Sequence, residues 1–363
     1  MYTNELEALQ KANRYRTRHL YDASLCDFSS NDYLGFAHHK ALFERAITQV
    51  GMYETHAPKA SLLVSGYHPI HLELEEFLIR QMGFEAALVC GSGFLANFSL
   101  IEALPRKKDL LILDEEYHAS GIVASKTVDA NVLFFRHNDA NHLESLLNEH
   151  TYNRAIVAVE GIYSMSGDLL NPDIFTVADH HNALLIVDEA HSVGVVGEHL
   201  RGIFDLYNIT PKPNHIKMGT LGKALGSYGA YILCSEHILE FLCNRAKAVI
   251  YTTAPSLFDI ALAYQGFLYL LTHDKELGQA IKKRQDIIKE MLGYSIQGLI
   301  CGYKVPQASD VLVVQQMLLK EGFLVGAIRP PTVKEPIIRL IPRLACTEEE
   351  LYRVCGLIQG HMG

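Results

Sequence analysis

The sequence has little that would indicate a metal site, disulfide bonds or a polyanionic partner. Its 363 residues include seven cysteines, an odd number, and no two of them stand at C-x-x-C spacing. This pattern excludes a disulfide framework or a zinc ribbon and predicts reduced, buried thiols with no metal bound. Lysine and arginine number 32 against 41 acidic residues, so the formal net charge is −9. Because there is no basic excess, nucleic acids and anionic membranes are disfavoured as partners.

Long hydrophobic runs and an N-terminal targeting segment are absent as well. The longest apolar stretch, residues 260–271, is too short to span a bilayer and contains Gln265. Glu5 and Glu7 lie where a secretory signal would carry basic and then apolar residues. These features predict a cytoplasmic protein without a membrane partner. The apolar content of 49% is ample for a folded chain, and the length suggests two or three domains.

Short apolar runs alternate with amphipathic helical patterns from about residue 85 onward. Nearly continuous apolar strands between helices are typical of a mostly parallel sheet that helices cover on both faces. We therefore predict an α/β fold. Its strands are expected at residues 86–90, 110–113, 132–135, 155–159, 183–187, 216–218 and 228–234.

The character of the sequence changes near Pro255. A long helical pattern over residues 257–291 leads into a smaller α+β region, and the first 45 residues do not make a domain alone. We predict a large domain at residues 46–255 and a small C-terminal domain at residues 256–363. The N-terminal segment, residues 1–45, is expected to pack on the small domain.

Residues 91–96, GSGFLA, follow a predicted strand and begin a predicted helix. The match to G-x-G-x-x-A, with acidic residues 114–116 after the next strand, has the form of a dinucleotide-binding fingerprint. Physically it predicts only that N–H groups at a helix N-terminus bind a phosphate, which any phosphate-bearing cofactor would supply. Glycines that simply ease a tight strand-to-helix turn are the alternative.

Three further clusters follow predicted strands, at the edge where open α/β sheets bind ligands. Asp188 and His191 follow residues 183–187, and His118 follows residues 110–113. Lys223 lies among small residues after the strand at 216–218. Taken singly, the aspartate and the histidine are explained as helix caps or loop residues, and the lysine as a solvated side chain.

Together these residues indicate a specific chemistry. A nucleophilic lysine must be neutral, yet with a pKa of about 10.4 only about one lysine in 2,500 is neutral at pH 7. A Schiff base with an aldehyde cofactor removes this handicap. Pyridoxal phosphate needs a phosphate site, a carboxylate at its ring nitrogen and an aromatic group on its face. The sequence offers Gly93 and Phe94, Asp188, and His118 for these three tasks, with Lys223 as the amine.

Several motifs, in one order along the chain, resemble a known family. The motifs are S-G-F-x-A-N at residues 92–97, H-A-S at 118–120, D-E-A-H-S-x-G at 188–194 and T-x-G-K-A-x-G at 220–226. Similar segments at residues 28–35, 64–67, 160–168 and 251–253 extend the resemblance over nearly the whole chain. The chain resembles the pyridoxal-phosphate-dependent α-oxoamine synthases, of aminotransferase fold type I. That fold has a large domain with a mostly parallel sheet and a small α+β C-terminal domain.

The resemblance implies a role for each matching residue. Lys223 would carry the cofactor and act as the base, with Asp188, His191 and His118 completing the catalytic set. Asp188 would hold the ring nitrogen protonated, His118 would stack on the ring, and His191 and Ser164 would contact the ring oxygen region. The phosphate would be held by Gly93, Phe94 and Thr220 of one chain and by Thr252 and Thr253 of a second copy in a homodimer. Substrate would be bound by Arg16, Asn31 and Arg339.

Residues 328–333, IRPPTV, are similar to family members that condense L-alanine with a pimeloyl thioester of CoA or acyl carrier protein. The sequence departs from the family at residues 57–61, APKAS, where relatives have a glycine-rich segment. Glycine there permits positive φ, which Pro58 cannot adopt and Lys59 adopts only at a cost. The alternatives are another α-oxoamine synthase, a fold-type-I aminotransferase, a nicotinamide dehydrogenase built on residues 91–96, or a regulator that binds the cofactor without catalysis.

Overall fold

A seven-stranded sheet forms the centre of the computed structural model, which describes residues 1–12 and 14–362. Asn13 and Gly363, which belong to the predicted terminal segments, lie outside the described residues. The strands of this sheet are β2 (Ala86–Cys90), β3 (Leu110–Asp114), β4 (Asn131–Phe135), β5 (Ala155–Glu160), β6 (Leu184–Asp188), β7 (His215–Thr220) and β8 (Ala230–Cys234). Their order is β2-β8-β7-β6-β5-β3-β4. Neighbours are parallel except for β8, which runs antiparallel to both β2 and β7.

The sheet is mostly parallel, as predicted, and each strand lies within three residues of its predicted bounds at either end. Strands β2, β3, β5 and β8 are buried at every residue because helices cover both faces of the sheet, which explains their continuous apolar runs. Two of the buried apolar clusters of the protein include side chains from opposite faces of these strands. Helix α3 (Pro69–Met82) precedes these strands. The helices between and after them are α4 (Gly93–Ala103), α5 (Ala119–Ser125), α6 (Ala140–Glu149), α7 (Asp173–His180), α8 (Ile203–Leu206), α9 (Glu236–Arg245) and α10 (Lys247–Ile250).

A long helix, α11 (Leu257–Leu292), leads out of this unit. Ser256 caps its start by accepting from Asp259 N–H, and Gly293 ends it at φ 74°, a conformation that suits glycine. The remaining elements of the C-terminal part are β9 (Cys301–Lys304), α12 (Ala308–Lys320), β10 (Phe323–Leu324), β11 (Gly326–Ile328), β12 (Ile337–Leu340) and α13 (Glu348–Met362). Strands β9, β11 and β12 form an antiparallel sheet with β12 in the middle.

The N-terminal residues contact the C-terminal part of the chain. They contain α1 (Thr3–Lys11), β1 (Cys26–Asp27) and α2 (Lys40–Gly51). Strand β1 pairs in parallel with β10, and Phe28 lies in a third buried apolar cluster whose other members run from Ile287 to Ile358. Within the described residues, no helix combines the length and apolarity that crossing a bilayer requires.

Within residues 57–61, the segment that departs from the family, Lys59 adopts a backbone conformation that favours glycine. Lys59 has φ 65°, and Ala60 N–H donates to Pro58 O at 2.8 Å, which makes a γ-turn centred on Lys59. The γ-turn with positive φ is rare and strained for a residue with a Cβ. The turn is held from outside, because Ala254 N–H donates to Ala60 O at 2.9 Å. Lysine thus occupies this backbone conformation here in spite of its steric cost.

Candidate active site

Lys223 and His191 are in direct contact near the carboxyl ends of the central strands. Lys223 follows β7 by three residues, and His191 follows the neighbouring strand β6 by three. Lys223 Nζ lies 2.8 Å from His191 Nε2. Burial lowers the pKa of Lys223 to about 8, against the opposing effects of Asp188 and Glu160. The amine is therefore much easier to deprotonate than that of a solvated lysine.

His191 is held in a single neutral form by its surroundings. Burial, with the positive charges of Lys223 and Arg339, lowers the pKa of His191 well below its usual range. An ammonium group has no lone pair, so Nε2 of His191 accepts from Lys223, and Nδ1 carries the proton. Nδ1 then donates to the Tyr33 hydroxyl oxygen at 2.5 Å. Tyr33 thus fixes the histidine orientation, and burial raises the pKa of Tyr33 to about 12.

Asp188 ends strand β6 and is oriented by an amide. Asn97 Nδ2 donates to Asp188 Oδ2 at 2.6 Å, and Ala190 N–H donates to Oδ1 at 3.0 Å. The Asn97 amide cannot turn over, because its oxygen accepts from the Tyr117 hydroxyl at 2.6 Å. Asp188 therefore presents a buried carboxylate that two donors hold in place, beside Lys223.

His118 lies next to this carboxylate at the start of α5. Its Nδ1 accepts from Ser120 N–H at 3.2 Å and lies 2.7 Å from Ser120 Oγ, so the ring caps the helix and cannot rotate freely. The helix-cap explanation is therefore correct as far as Nδ1 is concerned. The residue is exposed although its neighbours Tyr117 and Ser120 are buried. Although the residue is exposed as a whole, neighbouring protein atoms partly desolvate its ring and lower the pKa of His118; Lys223 lowers this pKa further and Asp188 opposes the shift.

Arg339 joins the small sheet to this edge of the large one. It lies on β12, buried, and its Nε donates to Ser164 O at 2.8 Å. Its Nη2 donates to Asn31 Oδ1 at 3.0 Å. Asn31 also accepts from the Tyr33 hydroxyl at 3.4 Å, which links Arg339 to His191 and Lys223. A guanidinium held at two positions in this way is suited to binding a carboxylate.

The N-terminus of α4 faces the end of β7. Ser92 caps α4 by accepting from Leu95 N–H, so the N–H groups of Gly93 and Phe94 belong to the first turn, which has no helical acceptors. A Cβ built on Gly93 would lie 3.6 Å from the Thr220 Cβ. Thr220 Oγ1 donates to Gly229 O and accepts from Gly222 N–H. Gly93, Phe94 and Thr220 are thus neighbours at a helix end that favours an anion.

Glu160 is a buried acid of this site that the sequence analysis did not assign to it. It ends β5 directly beside Asp188, and it is 1% exposed. Oε2 accepts from Ser164 N–H at 3.1 Å, whereas Oε1 has no partner among the described residues. Burial and the charge of Asp188 raise the pKa of Glu160 well above its usual range. The signal was available, since Glu160 follows an apolar strand just as Asp188 does.

Three predicted site residues lie apart from the groups of residues described above. Arg16 is exposed in an irregular N-terminal stretch. Thr252 donates to Ala248 O in its own turn, and Thr253 is exposed. The other predicted residues form two groups. Hydrogen bonds and electrostatic contacts link the larger group, namely Asn31, His118, Ser164, Asp188, His191, Lys223 and Arg339. The smaller group, Gly93, Phe94 and Thr220, lies at the start of α4, and Asn97 of the same helix joins it to Asp188.

The chain is similar to known proteins in sequence and in fold. Residues 23–358 match the model of the family "Aminotransferase class I and II". The 8-amino-7-oxononanoate synthase of Helicobacter pylori is 45% identical over 342 residues, which are 94% of this chain and 92% of that one.

Solved structures with the same fold include two enzymes of similar size. One is a serine palmitoyltransferase from S. paucimobilis with a bound adduct of pyridoxal phosphate and myriocin (TM-score 0.86, 22% identity, 99% of this chain and 96% of that one). The other is the 8-amino-7-oxononanoate synthase of Francisella tularensis (TM-score 0.80, 23% identity, 93% of this chain and 98% of that one).

Proposed function

Because the chain belongs to the aminotransferase class I and II family, among relatives that are 8-amino-7-oxononanoate synthases, we propose that it condenses L-alanine with a pimeloyl thioester. The products are 8-amino-7-oxononanoate, CO2 and a free thiol, either CoA or acyl carrier protein. The observation that carries the proposal is the contact of Lys223 Nζ with a neutral His191 beside the buried Asp188.

The residues present fit pyridoxal phosphate. Lys223 offers an amine with a lowered pKa, Asp188 a fixed buried carboxylate, and the first turn of α4 an anion site beside Thr220. His118 offers an exposed ring that Ser120 holds in one orientation. When bound, the cofactor supplies an aldehyde that condenses with amines and a ring that accepts the electron pair left at Cα.

Each residue has a separate task in holding the cofactor. Lys223 would anchor the aldehyde carbon, and Asp188 would keep the ring nitrogen protonated because Asn97 holds its carboxylate in place. His118 would lie on the ring face, while His191 and Ser164 would contact the ring oxygen region. The first-turn N–H groups of Gly93 and Phe94, with Thr220, would bind the phosphate.

Binding of L-alanine and proton transfer are assigned to other groups. Arg339 would bind the alanine carboxylate, since Ser164 O and Asn31 hold its guanidinium in place, and Asn31 would line the same pocket. With alanine bound, the free amine Nζ of Lys223 would take the proton from Cα. A pKa of about 8 makes this amine a suitable base near neutral pH. The neutral His191 Nε2 then holds the Nζ proton within hydrogen-bond distance, at 2.8 Å.

We also propose that the protein acts as a homodimer whose second copy completes the site. Thr252 and Thr253 would hold the phosphate of the partner copy. Helix α10, which precedes them, packs against the turn Leu62–Gly66. Val64 of that turn and Tyr251 beside Thr252 are 78% and 80% exposed, although both are apolar. Large exposed side chains of this kind, next to predicted site residues that lie apart from the rest of the site, favour an interface there. Arg16 would bind the distal carboxylate of the acyl chain.

The proposed function is tested by thiol release from a panel of thioesters and amino acids. We expect release of free thiol and formation of the aminoketone with L-alanine and pimeloyl-CoA. The purified protein is expected to be yellow, with an adduct that borohydride reduces. Lys223→Ala should lower turnover by at least about a thousandfold, because both the anchor and the base are removed.

Lys40→Ala is the matched control, since the Lys40 side chain is 86% exposed on α2. It should leave turnover unchanged. Normal turnover by Lys223→Ala would refute the assignment. Transfer of the amino group to a 2-oxo acid without thioester consumption would identify an aminotransferase, and thiol release only with another amino acid would identify a different α-oxoamine synthase.

A further inference from the structure

A second group of reactive side chains lies among the N- and C-terminal elements. Cys26, Cys346 and Glu350 each offer one ligand atom, and these three atoms lie within 4.8 Å of one another. Residues 26 and 346 are far apart in the sequence, so no spacing motif indicates that these side chains form a cluster. We propose that these side chains form a binding site for a thiophilic divalent cation, with zinc as the expected metal.

The fold brings the three residues together through two elements. Cys26 lies on β1, whose pairing with β10 is extended by a hydrogen bond from Cys26 N–H to Gly322 O at 2.9 Å. Cys346 precedes α13, and its Sγ donates to Asp27 O at 3.4 Å, the residue next to Cys26. Glu350 lies in the first turn of α13. Each ligand is thus attached to a backbone that is already fixed.

Glu350 has a structural task that leaves it free to bind a metal. It forms a capping box with Thr347, in which Oε2 accepts from Thr347 N–H at 2.7 Å and Glu350 N–H donates to Thr347 Oγ1 at 3.2 Å. A carboxylate has about four lone-pair sites, so the cap does not exhaust its capacity. The cap instead holds the carboxylate near the two sulfur atoms.

The spacing of the ligand atoms suits a four-coordinate cation. Zinc binds thiolate sulfur at about 2.3 Å and carboxylate oxygen at about 2.0 to 2.2 Å, so tetrahedral ligand atoms lie about 3.4 to 3.8 Å apart. A contraction of at most about 1.4 Å would bring the three atoms to that spacing. Cys26 and Glu350 are half-buried, which leaves room for water as the fourth ligand.

The charges around the site match a metal-bound thiolate pair. Two thiolates, one carboxylate and a divalent cation carry a net charge of −1. Arg284 and Arg343, 7% and 4% exposed, are electrostatic neighbours of Cys346, and Arg284 also donates to Cys346 O at 2.5 Å. Arg284 Nη1 and Arg343 Nε have no partner among the described residues. Donors beside metal-bound sulfur stabilise its charge, and these two guanidinium groups supply them. The other charged groups nearby are Asp27 and Asp32, which pair with Arg343, and Glu348, which acts on Arg284.

The test is a metal titration of the reduced holoenzyme after removal of metal with a chelator. Cadmium is followed by the ultraviolet absorption of its thiolate complex, and zinc by competition with a chromophoric chelator. We expect the wild type to bind one equivalent of either metal. Cys26→Ser and Cys346→Ser should lose this equivalent, and Glu350→Gln should weaken it by about tenfold or more.

The matched control is Cys243→Ser, a half-buried cysteine of α9 outside the site, which should bind as the wild type does. Cys26→Ser and Glu350→Gln alter half-buried side chains, so their folding can be checked by thiol-release activity even if Cys346→Ser fails to fold. Zinc should also raise the melting temperature of the wild type and of Cys243→Ser, and it should not raise that of the three site variants. Equal binding by all variants, or no binding by the reduced wild type, would overturn the site. A Cys26–Cys346 disulfide found by mass spectrometry in the purified protein, with no metal bound after reduction, would overturn it as well.

Discussion

Burial and fixed charges set the reactivity of Lys223. A solvated lysine has only about one molecule in 2,500 neutral at pH 7, whereas a pKa of about 8 makes about one in ten neutral. Burial lowers this pKa, and Asp188 and Glu160 oppose the shift. The effect of Glu160 is limited because burial raises its own pKa and favours its uncharged form. The sequence indicates Lys223 as the amine, but only the packing explains its reactivity.

Lys59 shows strain at a single residue. Its φ of 65° at the centre of a γ-turn is unfavourable for any residue with a Cβ. The hydrogen bond from Ala254 to Ala60 holds the turn, so the protein accommodates the strain instead of changing the loop.

We therefore predict that Lys59→Gly raises the free energy of unfolding by up to about 1 kcal/mol, because relief of the strain outweighs the added entropy of the unfolded chain. Lys126→Gly is the control, since Lys126 has φ −75° and glycine there should cost about 0.5 to 1 kcal/mol. Urea unfolding measures both. Destabilisation of similar size in the two variants would contradict the strain at Lys59.

At the scale of elements, the turn after β5 depends on a charge cluster behind it. Tyr163 of this turn donates to Asp114 at the end of β3 at 2.7 Å. His137 lies between Asp114 and Asp168, at 3.1 and 3.4 Å. Burial alone would lower the pKa of His137, but the hydrogen bonds to Asp114 and Asp168 raise it to about 10. The cluster thus holds the turn whose Ser164 carbonyl binds Arg339.

We predict that His137 stabilises the protein in a pH-dependent way. Its folded pKa lies above the unfolded value of about 6.5, so its contribution is fully present below about pH 6.5 and is lost as the pH rises through about 10. His137→Gln should lower the free energy of unfolding by about 1 to 2 kcal/mol near pH 6 and by less near pH 9.

Denaturant unfolding of both proteins at several pH values provides the check, with His180→Gln, an exposed histidine of α7, as the control. A difference between wild type and His137→Gln that stays constant over this range would refute the prediction.

At the scale of the whole molecule, the N-terminal and C-terminal parts of the chain pack against each other. Phe28 shares an apolar cluster with residues from Ile287 to Ile358, and Arg343 pairs with Asp27 and Asp32. These contacts support the division that we propose, with a large cofactor-binding domain at residues 46–255, a small domain at 256–363 and an N-terminal segment at 1–45 that packs on the small domain. Asn31 and Arg339 then reach the active site from this terminal part of the molecule.

The proposed homodimer leads to a prediction on Val64. Val64→Asp should convert the protein to monomers and lower its retention of pyridoxal phosphate, because the charge would be buried at the interface that brings Thr252 and Thr253 to the second site. Analytical ultracentrifugation and cofactor absorbance measure the two effects. Val313→Asp, on the exposed face of α12, is the control and should change neither. A dimeric Val64→Asp protein with full cofactor content would argue against this interface.

The sequence by itself determined the α/β pattern and the residues that follow its strands. Continuous apolar runs and small residues are local signals, so β2 to β8, Asp188, His191 and Lys223 could be located without a structure. Only the tertiary structure decided which distant groups meet. Arg339 binds Ser164 and Asn31 across 175 and 308 residues, and Glu160 and Asn97 bracket Asp188 from two other elements. Cys26 and Cys346 meet in the same way. No periodicity encodes such contacts, because they arise from the packing of whole elements.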